Sequence, residues 1–301
     1  MTDMPTDSIQ WYRIAELPIR LVYRPGATDN RSLLPSFAPF AITPTTEPCL
    51  LELVIDDLLH PIPKEERKRI KTIDTGNGDI VVDRTDDGRH QFIIKDIHGN
   101  SCCLLIASPG FTSCQCALNG NYDMRNFGLN NAVMIAYAFA ASSQQVLLIH
   151  ASLVRQHGYG YAFIAKSGTG KSTQVSMWLR HLPGCDLMND DNPVIRIIDG
   201  IPYIYGSPWS GKTPCYRNVK APLGAITQID RAPANSVERL SPVEALIRLM
   251  PACSSIRWDA DIYDGIITNM TRVIETTPCY VLHCLPNREA AEVCHKAIAR
   301  Q

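Results

Sequence analysis

The spacing of apolar and polar residues changes near residue 129, and the change divides the chain into two parts. Before it, short β-prone runs alternate with turn chemistry: Ile19 to Tyr23, Cys49 to Ile55, Asp79 to Val82, Gln91 to Ile94 and Cys102 to Ile106. Gly76-Asn77-Gly78, Asp86-Asp87-Gly88 and His98-Gly99-Asn100 separate these runs, and Gly, Asn and Asp tolerate the backbone angles of tight turns. The pattern predicts a smaller, mostly antiparallel, β-rich domain over residues 1–128, suited to recognising a substrate or partner. Within it, Pro61 to Lys71 (PIPKEERKRIK) is charged enough to read as a solvated loop or short helix.

From Asn130 the run NNAVMIAYAFAASSQQ has the character of a helix, and the apolar strand Val146 to Ile149 leads into His150-Ala151-Ser152. A strand at Tyr161 to Ala165, a glycine turn, a helix from Lys171 to about His181 and a strand-like run at Cys185 to Met188 follow. Further strands are predicted at Val194 to Ile198, Tyr203 to Tyr205 and Ala225 to Ile229, with helices near Pro242 to Met250, Asp259 to Glu275 and Arg288 to Ala299. The alternation predicts a second domain over residues 129–301 and a fold of mixed α/β (α+β) class. No internal repeat is seen.

Composition narrows the function classes. A chain of 301 residues that is 45% hydrophobic and 20% charged buries a substantial core. Its net charge of -1 supplies no basic field, so neither nucleic acid nor an anionic membrane is an expected partner. The longest apolar stretch, Ala132 to Ala141, falls well short of the ~20 residues of a spanning helix and reads as a buried helix. The opening stretch MTDMPTDSIQWYRIAEL lacks the pattern of a secretory signal, so the expected location is the cytoplasm. Eleven cysteines are an odd count, and neither Cys102-Cys103 nor Cys114-x-Cys116 has a second pair at zinc-site spacing; they read as reduced packing residues. A homo-oligomer is compatible with this composition.

The strongest chemical signal is Ala165-Lys166-Ser167-Gly168-Thr169-Gly170-Lys171-Ser172-Thr173, set between a predicted strand and a predicted helix. Phosphate oxygens need many donors at short range. Small residues at Gly168 and Gly170 let backbone N–H groups from Ser167 to Thr173 curl around them, and the helix N-terminus adds its positive end. Lys171 brings a cation to the β and γ phosphates of ATP or another nucleoside triphosphate, and Ser172 offers a hydroxyl to Mg²⁺. Ala165 stands where this pattern usually opens on glycine, which is tolerable if its φ is negative.

Downstream, Asn189-Asp190-Asp191 supplies carboxylates where such a loop needs them: one to hold Mg²⁺, the other to take a proton from an attacking hydroxyl. His150 is a candidate proton carrier or metal ligand beside the phosphates. Gly206-Ser207-Pro208-Trp209-Ser210-Gly211-Lys212-Thr213 imitates a second phosphate loop, but Pro208 and Trp209 obstruct an amide cradle and Pro214 precludes a following helix. It reads as a loop that presents Lys212 and Arg217 to a phosphate or substrate.

His150-Ala151-Ser152, the loop Gly168-Thr169-Gly170-Lys171-Ser172 and the pair Asp190-Asp191 together resemble the nucleotide-binding core of HPr kinase/phosphorylase, which is similar to that of ATP-dependent phosphoenolpyruvate carboxykinase. The string NDDNPV…YGSPWSGK looks like that of uncharacterised bacterial proteins of this kind. The resemblance covers about Val146 to Ile229. It implies a carboxykinase-like P-loop domain with a mixed sheet, in which Lys171 and Ser172 bind phosphate and Mg²⁺, His150 lies near both, and Asp190 and Asp191 form the acidic pair. The expected activity is transfer of the γ-phosphoryl group of ATP to a hydroxyl, serine being the likeliest chemistry on a peptide, protein or small molecule. A nucleotide-binding regulator without catalysis and a carboxykinase-type enzyme are the alternatives.

Overall fold

The computed structural model describes residues 6–300, so the first five positions of the stretch read for a secretory signal lie outside the described residues. The fold is mixed α/β with two mixed sheets. The chain forms two compact units that divide between Ala140 and Ala141.

In the first unit nine strands form one sheet: β1 (Ser8–Ile14), β2 (Leu17–Tyr23), β3 (Ala41–Ile42), β4 (Leu51–Ile55), β5 (Arg67–Asp74), β6 (Asp79–Thr85), β7 (His90–Lys95), β8 (Ser101–Ala107) and β9 (Ser113–Leu118). Their order is β3-β1-β2-β4-β9-β8-β7-β6-β5, and only the pairings of β4 with β2 and β9 are parallel. All three turn signals of the sequence lie between successive strands of the β5 to β8 meander, with Gly76, Gly78, Gly88 and Gly99 at positive φ.

Within Pro61 to Lys71 the expected short helix is present at Lys64–Glu66, but from Arg67 the chain departs from the expectation, because Arg67 to Asp74 is an edge strand. Arg67 and Arg69 are two residues apart in that strand, so they share a face. Both guanidinium groups grip the buried carboxylate of Asp83 on β6. Charge that suggested solvation is what fastens the strand.

Helix α1 (Tyr122–Ala140) belongs to this first unit, so the unit runs past the expected 128/129 boundary. The reason is packing. A Cβ at Gly128 would lie 2.8 Å from the Cys102 carbonyl oxygen and 2.8 Å from Cys103 Cβ, so glycine is what lets the helix lie close on β8. Tyr137 OH donates to the Ile14 carbonyl at 3.1 Å. The apolar run that announces helical periodicity is the cover of the preceding sheet. No helix among the described residues is long and apolar enough to cross a membrane. All eleven cysteines are free thiols, and Cys102, Cys103, Cys114 and Cys116 are buried in this unit.

The second unit contains β10 (Val146–Leu148), β11 (Ala151–Gln156), β12 (Tyr159–Ile164), α2 (Lys171–His181), β13 (Cys185–Asp191), β14 (Val194–Ile198), β15 (Ile201–Tyr205), β16 (Lys220–Arg231), β17 (Ser236–Arg239), α3 (Pro242–Leu249), α4 (Ala260–Thr276), β18 (Cys279–Cys284) and α5 (Arg288–Ile298). The sheet runs β10-β14-β15-β16-β12-β11-β13, and β18 adds to β16 and carries β17. β16 pairs in parallel with β12 and with β18 through the shared residues Ile226 to Gln228, which places those two strands on opposite edges of it.

Helices α2 and α5 bury a common core with Val154, Phe163, Ala225, Ile229 and Leu282. On α2 the buried positions Lys171, Gln174, Val175 and Trp178 recur at helical spacing. Trp178 is fully buried, edge-on to Phe163 at 5.5 Å between ring centroids. Burial of an aromatic ring to this degree is worth about 3–5 kcal/mol relative to alanine, so the helix that follows the glycine loop is rigidly held.

Candidate functional site

Three strand ends converge on the glycine loop. β11 and β12 form a hairpin whose two turn residues, His157 and Gly158, both have positive φ, as a two-residue hairpin turn of matching twist requires. That turn sets Ala151 opposite Ile164, which brings His150 to the start of the loop. On its other edge β11 pairs antiparallel with β13, with a bulge between Leu153 and Val154. Without the bulge Ser152 would oppose Asn189; with it, Ser152 opposes Asp190 and Ala151 opposes Asp191.

The hydrogen bonds of the loop are lopsided. All of its carbonyls from Ala165 to Gly170 except that of Ser167 are taken by donors within the chain: Ala165 by Lys171 Nζ at 3.2 Å, Lys166 by the Thr169 N–H, Gly168 and Thr169 by the Arg231 guanidinium, and Gly170 by the Gln174 N–H. Its amides are not. Among the described residues the N–H groups of Ser167, Gly168, Gly170, Lys171, Ser172 and Thr173 have no acceptor. Gly168 and Gly170 sit at φ +77° and +134°, a region that favours glycine, whereas Ala165 keeps a negative φ, so its methyl group is accommodated. A row of free amides at the start of a helix is the arrangement that binds anions.

Lys171 is buried, and its ammonium donates to His150 Nε2 at 2.8 Å. The imidazole proton therefore sits on Nδ1, which faces Asp191 Oδ1 at 3.0 Å. Burial pushes the Lys171 ammonium below the usual lysine range, against the pull of Asp191 and Asp190. A second chain runs alongside: Ser152 donates to Asp190 Oδ1 at 2.6 Å, and its Oγ lies 3.4 Å from Ser172 Oγ. Asp190 is buried, with Oδ2 free of any partner among the described residues, while Asp191 is partly exposed. Lysine, hydroxyl and both carboxylates thus stand in two neighbouring chains, Lys171–His150–Asp191 and Ser172–Ser152–Asp190.

Asn189 locks the neighbouring loop in place. Its fully buried amide donates to Ser207 Oγ and the Trp209 carbonyl, and its oxygen accepts from the Asp191 and Asn192 N–H groups. The Gly211 N–H bonds the Asp190 carbonyl at 2.8 Å. A Cβ at Gly206 would lie 2.1 Å from the Arg217 carbonyl oxygen, so only glycine fits there. The segment from Gly206 to Gly211 is therefore a wall along the edge of β13 and has no helix after it, in keeping with its reading as a loop.

Lys212 follows that wall directly, exposed and without a hydrogen bond or ion pair among the described residues. Arg217, expected to face a phosphate or substrate with it, is placed otherwise. Its guanidinium binds Asp186 Oδ2 at 2.6 Å and the Leu187 carbonyl, and Arg155 grips the same carboxylate. Burial pushes the Asp186 carboxyl up, but hydrogen bonds from Arg155 and Arg217 outweigh it and hold it below the usual range. A depressed carboxylate stabilises the fold above its unfolded pKa of about 4 and loses that contribution as pH falls through the folded value. Asp186→Asn should therefore cost up to about 1 kcal/mol at pH 7, a small value because the group is partly exposed. Urea unfolding at pH 7 and again near pH 2 should show the difference from wild type at the higher pH and none at the lower.

Three residues to which the sequence assigned no role of their own are now part of the site: Ser152 and Asn189, named only within His150-Ala151-Ser152 and Asn189-Asp190-Asp191, and Arg231. Ser152 carried a detectable signal, since the His157-Gly158 turn makes the preceding run one arm of a hairpin. Arg231 lies too far along the chain to be linked to the loop by any local pattern. The Ser172 hydroxyl and the free oxygen of Asp190 are hard oxygen donors of the kind that could hold a cation such as Mg²⁺. No three His, Cys, Asp or Glu side chains gather as a metal site among the described residues. No family model matches the chain, and no curated protein matches it.

Proposed function

We propose that the second unit is a P-loop nucleotide-binding domain that takes a nucleoside triphosphate with Mg²⁺ and transfers its γ-phosphoryl group to a hydroxyl. The chemistry is that of an ATP-dependent, serine-type kinase such as the HPr kinases its residues resemble. What supports the reading above all is the row of amides from Ser167 to Thr173, unsatisfied except at Thr169, which leads into Lys171 and, through His150 and Ser152, to two carboxylates.

In this scheme the loop amides hold the phosphates and Lys171 neutralises charge on the β and γ oxygens. Mg²⁺, when bound by Ser172 and Asp190, screens the charge that builds on the phosphate oxygens. Asp191, oriented by the Nδ1–H of His150, accepts the proton of the acceptor hydroxyl as its oxygen attacks the γ phosphorus. The bond to the bridging oxygen breaks and the nucleoside diphosphate leaves. Recognition of a peptide, protein or small-molecule acceptor is assigned to the first unit, whose sheet ends in the edge strands β3 and β5. The cytoplasm, where ATP is abundant, is the compartment that suits this chemistry.

Calorimetric titration of ATP with and without Mg²⁺ tests the binding half, with Mg²⁺-dependent affinity expected. Incubation with γ-labelled ATP and fractionated lysate tests the transfer half, with a labelled acceptor expected. Binding without transfer would turn the reading toward a regulator, and no binding in either condition would remove it.

A further inference from the structure

We propose that Arg231 is a positioning residue of the glycine loop, one that aims the Gly170 amide at phosphate and fixes the Thr169 amide in the loop's own turn by holding the opposite ends of their peptide units; the proposal rests on the nucleotide reading above. β12 and β16 are parallel, with Ile164 beside Gln228. Three residues further on, Arg231 is level with the loop that leaves β12. Its backbone is fixed, because it pairs with Cys284 of β18 and the next N–H bonds the Cys284 carbonyl at 3.1 Å. From this strand end Nε donates to the Thr169 carbonyl at 3.0 Å, and an Nη donates to the Gly168 carbonyl.

A trans peptide unit points its C=O and its N–H in opposite directions across one plane. Holding the Thr169 carbonyl toward Arg231 therefore turns the Gly170 N–H away from it, and that N–H has no acceptor among the described residues. Holding the Gly168 carbonyl likewise directs the Thr169 N–H, which closes the loop onto the Lys166 carbonyl at 3.1 Å. Packing does not do this work, since a Cβ built on Gly168 or Gly170 would meet nothing within 4 Å. Two glycines free of side-chain contact sample many conformations, and ordering them at the moment of binding would cost affinity. Arg231 meets that cost in advance.

The test is calorimetric titration of Mg–ATP into wild type, Arg231→Ala, Arg231→Lys and Arg239→Ala, with thermal unfolding of each protein measured without nucleotide. Arg239 is an exposed cation on β17 and controls for lost charge. Arg231→Ala should weaken binding roughly ten- to a hundredfold, the scale of charged hydrogen bonds, with the unfolding midpoint nearly unmoved. Arg231→Lys, which keeps one donor group, should recover part of the loss, and Arg239→Ala should stay within about twofold of wild type. Equal affinity of Arg231→Ala and wild type overturns the proposal alone, as does an equal loss in all three variants, which would mark a field effect. A wild type that binds no Mg–ATP overturns the nucleotide reading and this proposal with it. Should the alanine variant not fold, Arg231→Lys and Arg231→Gln decide by the same comparison.

Discussion

Lys171→Ala is expected to lose Mg–ATP affinity by about two orders of magnitude or more, as truncation of one partner of a buried charge contact costs roughly 2–5 kcal/mol. Two features of the site set this scale. The ammonium is buried, so its attraction to phosphate is weakly screened, and it is already held at the mouth of the loop by His150 Nε2 and the Ala165 carbonyl. The same burial makes the charge costly in the free protein and pushes its pKa down. Removing it should therefore leave nucleotide-free stability nearly unchanged. Calorimetry beside thermal unfolding separates the two effects; an affinity equal to that of wild type would mean that phosphate binds elsewhere.

Asp190→Asn should show the opposite division, with nucleotide affinity kept within about tenfold and phosphoryl transfer reduced by about a thousandfold, in the range assigned to electrostatic and acid–base contributions. The carboxamide has nearly the shape of the carboxylate, and its oxygen can still accept from the Ser152 hydroxyl at the place of Oδ1. The charge is what disappears. That charge lies next to Ser152 and Ser172, where Mg²⁺ is expected, and no other carboxylate in the group has an oxygen so free of partners. Single-turnover transfer of labelled phosphate, measured at saturating nucleotide, checks it; transfer at the wild-type rate would remove Asp190 from the mechanism. Together the two variants separate holding the nucleotide from using it.

Much of the second unit was legible because its signals are local. The strand before the loop, the helix from Lys171 to His181 and the strand Val194–Ile198 follow from hydrophobic period and from glycine placement, which act over one or two turns of chain. The run read as Cys185 to Met188 extends to Asp191, so the aspartates sit within the strand end. Pairing with β11 explains the extension, because extended backbone at Asn189 to Asp191 is satisfied only by a neighbour whose own sequence lies far away. In the first unit β1, β3, β5 and β9 escaped the reading for a related reason. An edge strand such as β5 has little apolar pattern to show, and its two arginines make sense only beside Asp83.

The sequence by itself determined the chemistry on offer: a glycine loop with lysine and hydroxyl, two adjacent aspartates, a histidine ahead of them and a near-neutral chain with no basic field. Those depend on residue type and on spacing of a few positions. Tertiary structure decided who meets whom. A one-residue bulge chose Asp190 over Asn189 as the partner of Ser152, a strand end brought Arg231 to the loop, and Asp186 drew Arg217 away from the role its neighbourhood suggested. Hydrogen bonds and ion pairs act over about 3 Å, a distance that sequence separation does not encode, so only the register of paired strands determines which polar groups satisfy one another.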